Sequence, residues 1–142
     1  MTMSREDVVA MFERRDRAYN DFDAASLAAD YAPGAVIVSP TAGTHVGPVA
    51  GEQALRGIFD ALDTEVKTLS LVIDGNQVAQ LLRMEGAHLG GLFGLPPSGK
   101  LFEWTGVFLY ELREGKIVRE QRIYDFTGML LKIGVLKAKP AS

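Results

Sequence analysis

The sequence predicts an α+β fold in which N-terminal helices pack on the concave face of a curved, cone-shaped antiparallel sheet. Two observations support this class. Helical patterns are grouped in the first half of the chain, and long stretches with the two-residue alternation of β-strands follow them. Because long antiparallel strands twist and curl, helices laid across them are expected to leave a cone with one open mouth.

Three helices are predicted before the long strands and one short helix, at 129–133, after them. Ser4, with Asp7 three residues later, is a weak capping box for the first helix, and Asp23 is an N-cap for the second. The third helix is the clearest, because its apolar residues recur at i, i+3, i+4 and i+7. Its stripe consists of Leu55, Ile58, Phe59 and Leu62.

One short strand and four long strands are predicted, and the last four form a meander. Their ranges are 35–38, 68–73, 77–88, 101–112 and 117–126. Asp74-Gly75 is a hairpin signal, and 113–116 is a turn. The Gly- and Pro-rich segments 39–51 and 90–99 are expected to be loops.

Composition excludes several classes of function. The 142 residues fit one domain over 1–142, and the net charge of −3 argues against a nucleic-acid partner. The absence of cysteine excludes disulfides, thiolate nucleophiles and Cys-ligated metals. No segment reads as a signal peptide or approaches the ~20 apolar residues that span a bilayer. We therefore expect a cytoplasmic protein with no membrane partner and, with two distant histidines, no metal site.

Four motifs lie in the second half, of which the Pro-Pro loop is fairly specific and the Arg-Glu-Gly-Lys turn is common to many proteins. They are Gly-Ala-His-Leu-Gly at 86–90, Phe-Gly-Leu-Pro-Pro-Ser-Gly-Lys at 93–100, Arg-Glu-Gly-Lys-Ile-Val-Arg-Glu at 113–120 and Leu-Leu-Lys-Ile-Gly at 130–134. Over about residues 80–135 they resemble the SnoaL-like family of polyketide cyclases and their uncharacterised relatives. The N-terminal half is similar to that family only in its order of helices and one strand.

The resemblance implies a nuclear-transport-factor-2-like fold, as in ketosteroid isomerase and limonene-epoxide hydrolase. It also implies a conical apolar pocket for a small hydrophobic molecule and a homodimer formed through the sheet. The family's cyclases close a polyketide ring by an intramolecular aldol reaction without a metal or other cofactor. In them a carboxylate on the last strands acts as general acid and base.

The chain departs from the family pattern at one important place. The family usually carries Trp-Asp where this chain has Gln121-Arg122, and a second family Asp, three residues later, matches Asp125. The catalytic acid is therefore either lost or retained as Asp125. In the second case Asp125 points into the cone beside Gln121 and Ile123; the alternative is that it caps the helix that follows. The positions nearest to a further family histidine are Tyr110 and Glu111.

Four other residues are candidates for chemistry. Arg83 and Glu85 share one face of a strand and loosely resemble the Arg-x-Asp pair of limonene-epoxide hydrolase; the alternative is a surface ion pair of little energetic weight. His88 lies at a strand end and is either a pocket acid or donor, or merely solvated. His45, in a predicted loop, is a weaker candidate.

An aromatic wall on the third long strand is expected to line either the pocket or a dimer surface. Tyr19 is a weak candidate for the donor to an enolate oxygen, a role that a tyrosine has in ketosteroid isomerase; the favoured alternative is core packing with its hydroxyl reaching water. The predicted ligand-binding residues are Tyr19, Phe59, Phe93, Trp104, Phe108, Tyr110, Gln121 and Arg122. Four functions stay open: a cofactor-free cyclase or isomerase, a binder of lipid-like small molecules, an epoxide hydrolase, and a structural dimerisation module.

Overall fold

The computed structural model describes residues 3–90, 94–137 and 139–140. This part of the chain contains four helices and six strands. In chain order they are α1 (Arg5–Asn20), α2 (Ala24–Ala28), β1 (Tyr31–Ser39), β2 (Gly43–Val46), α3 (Gly47–Ala61), β3 (Leu62–Asp74), β4 (Gln77–His88), β5 (Leu101–Arg113), β6 (Lys116–Tyr124) and α4 (Phe126–Lys132).

The strands form one sheet in the order β2-β1-β6-β5-β4-β3. Strands β3 to β6 pair antiparallel in sequence, so the predicted meander and the α+β class are confirmed. The pairing of β1 with β6 is parallel, which makes the sheet mixed rather than wholly antiparallel. Strand β2 extends this edge antiparallel to β1.

The structure differs from the sequence-based prediction in the region 31–62. Strand β2 and the first turn of α3 occupy a segment predicted as a loop. Strand β1 starts at Tyr31 and includes Pro33, because its pairing with β6 is irregular between Tyr31 and Val36 and requires no ladder donor there. Leu62 begins β3 instead of ending α3.

The predicted N-caps of the first two helices and the predicted turn at 113–116 are confirmed, whereas the closing helix starts at Phe126 rather than at residue 129. The Ser4 hydroxyl accepts from the Asp7 backbone and the Asp7 carboxylate accepts from the Ser4 backbone, so the capping box is complete. The Asp23 carboxylate accepts from the Ser26 backbone at the start of α2. Between β5 and β6 both Glu114 and Gly115 have positive φ, as a tight hairpin turn requires.

Helix α1 is held against the edge strand β3 by side chains that replace a neighbouring strand. The Asn20 amide bonds both the N–H and the C=O of Val66, and the Asp16 carboxylate accepts from the N–H and hydroxyl of Thr68. These bonds satisfy part of an otherwise open sheet edge. They also fix α1 so that Arg15 and Tyr19 are buried against the sheet.

The sheet has a buried inner face and an outer face that carries exposed apolar side chains. Alternate residues of β5 are buried, which puts the predicted aromatic wall on the inner face. Leu81, Leu109 and Ile123 are exposed on the outer face. The homodimer through the sheet stays a prediction. In the ranges that the structure describes, no helix is both long enough and apolar enough to cross a membrane.

Candidate functional site

A cavity of about 270 Å³ lies between α3 and the inner face of the sheet. Helix α3 turns small side chains toward it: Ala54, Gly57 and Ala61 lie on one face, with Ile58 beside them. A Cβ added at Gly57 would meet no atom within 4 Å. The cavity therefore exists because this side of the helix is too small to fill the space above the sheet.

The opposite wall is aromatic and rigidly packed. Trp104 stacks on Tyr124 with ring centroids 4.6 Å apart and planes at 19°, and Phe108 lies next to Trp104 at 6.1 Å. Tyr124 and Phe126 extend this surface toward α4. Flat aromatic faces of this kind favour a planar apolar ligand.

Hydroxyl groups line one side of the cavity near β1 and β2. The Thr41 hydroxyl shares a hydrogen bond of 2.9 Å with the Tyr124 hydroxyl and lies 3.3 Å from the Ser39 hydroxyl. All three residues line the cavity. They offer uncharged donors and acceptors to a bound molecule.

Arg122 brings a permanent positive charge to the wall of this apolar space. Its residue exposure is 6%, and its guanidinium lies 5.8 Å from the centre of the Phe108 ring. Among the described residues its only hydrogen bond runs from Nε to the Glu120 carboxylate, at 2.6 Å, and Nη2 is buried without an acceptor. The terminal nitrogens therefore carry hydrogen-bond donors that no described residue uses.

Behind Arg122 lies a buried network that fixes its position. Glu120 is fully buried and also accepts a 3.0 Å hydrogen bond from the Tyr31 hydroxyl. Arg15 Nη2 lies 3.6 Å from Glu120 Oε1, and Arg15 Nη1 lies 2.8 Å from Asp30 Oδ2. The two buried cations are therefore matched by two carboxylates, as buried charges require.

The electrostatics of the site keep its donors protonated. Burial alone would lower the pKa of Arg122, but the charge and hydrogen bond of Glu120 outweigh burial and raise that pKa well above its ordinary value. Burial raises the pKa of Tyr19, which also lines the cavity. Arg122 is therefore a fixed cation and Tyr19 a neutral hydroxyl.

His45 lines the cavity from β2, where it pairs with Ile37 of β1. Its Nε2 is buried and has no hydrogen-bond partner among the described residues. The sequence pattern makes His45 only a weak candidate, because its segment reads as a loop and its inward direction depends on the pairing of β2 with β1.

The structure does not place Asp125 in the cavity, so the prediction that it points into the cone is wrong. Asp125 is exposed and caps α4, where its carboxylate accepts from the Gly128 backbone at 2.9 Å. The physical reason lies in β6. Leu112 pairs with Ile117 but Glu111 with Arg119, so Val118 is an extra residue that reverses the alternation. Even-numbered residues then face inward.

The Arg83–Glu85 pair also lies outside the site. Its members are 3.9 Å apart on the outer face, with side chains 41% and 45% exposed. The alternative of a surface ion pair is therefore the correct one. The epoxide hydrolase hypothesis loses the residues on which it depended.

His88 is neither solvated nor a cavity-lining residue. It is 1% exposed, and its Nδ1 lies 2.8 Å from the Ser98 hydroxyl. Pairing of β3 with β4 is continuous across Gly86, so His88 faces inward, opposite Arg83 and Glu85, as alternation predicts. Its bond to Ser98 ties the end of β4 to the loop that precedes β5.

Four of the predicted ligand-binding residues line the cavity: Tyr19, Trp104, Phe108 and Arg122. Phe59 instead packs edge-on against Tyr19 and Phe22. The Tyr110 hydroxyl is occupied by Gln80, and Gln121 faces away from Arg122 on β6. Phe93 lies outside the described residues.

Metal binding finds no support in the arrangement of side chains. Within 3–90, 94–137 and 139–140, His, Asp and Glu residues do not gather in threes that could hold an ion. The side chains that line the cavity include hydroxyl, imidazole and guanidinium groups, which form hydrogen bonds.

Comparisons with known proteins agree with this geometry. The family model for SnoaL-like polyketide cyclases matches residues 9–133. Nogalonic acid methyl ester cyclase of Streptomyces nogalater is 31% identical over 94 residues, which are 65% of this chain and 70% of that protein. The solved structure of TsrD from Streptomyces laurentii gives a TM-score of 0.84 at 21% identity, covering 94% of this chain and 99% of that one. A protein of Catenulispora acidiphila with a ketosteroid isomerase-like fold gives 0.76 at 17% identity, covering 93% and 95%.

Proposed function

Because the chain belongs to the SnoaL-like polyketide cyclase family, we propose that it binds a flat, hydrophobic, polyketide-like ketone and closes a ring in it by intramolecular aldol addition. The observation that carries this proposal is Arg122. A guanidinium held only through Nε, at the wall of an apolar cavity, is a donor prepared for an oxygen that becomes negative.

The reaction needs such a donor twice. Loss of a proton next to a carbonyl group gives an enolate, and attack of that carbon on a second carbonyl gives an alkoxide. Both intermediates carry negative charge on oxygen, which a fixed cation in a water-poor site stabilises without reorganisation. Arg122 supplies the charge, and the Tyr19 hydroxyl supplies a neutral donor from α1.

The volume of the cavity limits the substrate. At about 270 Å³ it lies just below the ~300–1,000 Å³ typical of ligand pockets. It suits a compact molecule of a few fused rings rather than a long chain. The stacked Trp104 and Tyr124 are the surface on which such rings would lie.

The experiment uses nogalonic acid methyl ester, which the related cyclase is named for, as probe. Trp104 is the only tryptophan of the chain, and it lines the cavity, so quenching of its fluorescence measures binding directly. Ring closure is followed in parallel by absorbance and mass spectrometry. Product and substrate must have equal mass if the reaction is an aldol addition without loss of water.

Arg122 is tested in two variants. Arg122→Lys keeps the charge near Glu120 but loses the fork of N–H groups; Glu120→Gln with Arg122→Met removes both buried charges together. We expect turnover to fall roughly 10²–10³-fold in each, while circular dichroism stays native. Arg83→Lys on the outer face is the matched control and should retain full turnover. Full activity of the double variant would contradict the proposed role of Arg122.

A second candidate function is binding without catalysis. It is favoured by one specific observation: no carboxylate is among the residues that line the cavity in the described part of the chain. A binding protein would carry an aromatic or lipid-like molecule through purification, detectable by mass spectrometry, and would quench Trp104 fluorescence with no turnover of the probe. Equal-mass conversion of the probe would exclude this candidate.

A further inference from the structure

We propose that His45 is the proton acceptor of this site and takes the place of the carboxylate used by related cyclases. The inference rests on the proposed aldol function and adds the residue that starts the reaction. It follows from what lines the cavity, from where the carboxylates of the chain lie, and from the unpaired state of the His45 ring.

Enolate formation requires a base in contact with the substrate. Besides His45, the ionisable residues that line the cavity are Tyr19, Tyr124 and Arg122. Arg122 is a cation with a raised pKa, and Tyr19 is held protonated by burial. The residues outside the described ranges are Met, Thr, Gly, Leu, Phe, Ala and Ser, whose side chains include no carboxylate and no imidazole.

The carboxylates nearest in sequence to the family's acid position are already occupied. Both oxygens of Glu120 accept hydrogen bonds, one from Arg122 and the other from Tyr31, and the group is fully buried behind the cavity wall. Asp125 caps α4. Neither can reach a molecule in the cavity without breaking structure that holds the site together.

The His45 ring is free to act. Neither of its nitrogens forms a hydrogen bond with a described residue, and Nε2 is buried. His88, in contrast, is tied to Ser98 through Nδ1. A neutral imidazole that carries its hydrogen on one nitrogen has a lone pair on the other, and this lone pair is the acceptor that carbon acid chemistry needs near neutral pH.

Each proton and electron pair of the reaction has a defined donor and acceptor. The imidazole of His45 takes the proton from a carbon next to a substrate carbonyl, and the C–H electron pair becomes the enolate. The enolate carbon forms a new C–C bond to a second carbonyl carbon of the same molecule, whose C=O π pair becomes an alkoxide. The imidazolium returns its proton to this alkoxide, so substrate and product are isomers and the protein is unchanged.

The test separates His45 from Arg122 with the same probe, nogalonic acid methyl ester. In His45→Gln we expect kcat to fall roughly 10²–10⁴-fold, while the Kd from Trp104 quenching stays close to that of the unchanged protein. In His45→Ala, added imidazole should restore part of the rate. Thr44→Gln places the same new side chain one residue earlier on the exposed side of β2 and should be fully active.

Exchange of substrate hydrogen with deuterium oxide is the second readout. Because proton removal precedes ring closure, the His45 variants should lose exchange at the carbon next to the carbonyl, with binding intact. Full turnover in His45→Gln, with turnover lost in Arg122→Lys, would overturn the role of His45 and leave the proposed function standing. Absence of both binding and turnover in the unchanged protein would overturn both.

Discussion

Two Arg–Glu pairs with the same two-residue spacing lie on opposite faces of one sheet. Arg83 and Glu85 of β4 stand on the outer face, 3.9 Å apart and nearly half exposed. Glu120 and Arg122 of β6 stand on the inner face, 2.6 Å apart and buried. The same residue types at the same spacing thus have different roles in the two strands. In β4 they form a solvated surface pair. In β6 the glutamate positions Arg122, which is the only arginine or lysine among the described residues that line the cavity.

The bulge at Val118 is what separates the two cases. In β4 alternation is regular from Val78 to Met84, so odd-numbered residues face outward. In β6 the inward-facing residue before the extra residue is odd-numbered, Ile117. After the extra residue the inward-facing residues are even-numbered, Glu120 and Arg122. Ile123 is consequently exposed while two charged residues are buried. Without the bulge, Arg122 would face outward and the cavity would lack its cation.

The largest expected effect comes from breaking the inner pair. Glu120→Gln leaves Arg122 buried without a carboxylate partner among the described residues, and leaves Arg15 with Asp30 alone. Removing one partner from a buried ion pair typically costs about 3–5 kcal/mol of unfolding free energy. Urea unfolding followed by circular dichroism measures this loss.

Glu85→Gln is the matched control on the outer face. The identical substitution there removes an exposed ion pair, which is worth about 0–1 kcal/mol. Equal losses of unfolding free energy in the two variants would contradict the view that the inner pair alone is buried and structurally required.

The sequence could predict the parts of this comparison that depend on local pattern. The alternation of Trp104, Phe108 and Tyr110 correctly placed an aromatic wall on one face of β5, and the two N-caps and the turn at Glu114-Gly115 depend only on neighbouring residues. The inward direction of Arg122 could not be predicted. It depends on the register between β5 and β6, which is a property of two strands packed together rather than of either one.

The next largest expected effect is a difference between the coupling energies of the two Arg–Glu pairs. Double-mutant cycles are built from Glu120→Gln with Arg122→Met, and from Glu85→Gln with Arg83→Met. We expect a coupling of about 2–3 kcal/mol for the inner pair, because the two groups share a buried network. For the outer pair we expect about 0.5 kcal/mol or less. Comparable couplings would mean that burial does not distinguish the faces.

His45 marks the limit of sequence reasoning about the site. Its segment is flanked by Gly43 and Gly47, and glycines in such a segment predict a loop. In the structure both glycines have positive φ. Strand β2 forms only because β1 offers an edge for it, and β1 itself joins the sheet through a parallel pairing with β6, far away in sequence. The helices and late strands are locally encoded, whereas this side of the cavity is assembled by long-range pairing.

Asp16 is an intermediate case that sharpens the comparison through pH. It is half-buried, and burial raises its pKa even though hydrogen bonds from Thr68 partly oppose this. As pH rises above about 4, the unfolded chain releases this proton before the folded protein does, so the group's contribution to stability falls. Asp16→Asn should therefore gain stability relative to the unchanged protein between pH 4 and pH 7, measured by urea unfolding. A difference that is constant with pH would contradict the raised pKa.

The smallest expected effect concerns a row of like charges on the outer face. Glu65, Glu85 and Glu103 lie directly opposite one another on three neighbouring strands. Like charges in this arrangement are mildly destabilising, and water screens them because the side chains are exposed. Glu103→Gln removes the end of the row, and Glu103 forms no ion pair with a described residue. We expect the free energy of unfolding to rise by about 0.2–0.5 kcal/mol at low salt and this gain to disappear as salt is added.

Glu85→Gln should gain less, because it also loses the contact with Arg83. A gain at Glu103 that persists in high salt would show that packing, and not charge, is responsible, and the outer face would then resemble the inner face more than this structure indicates.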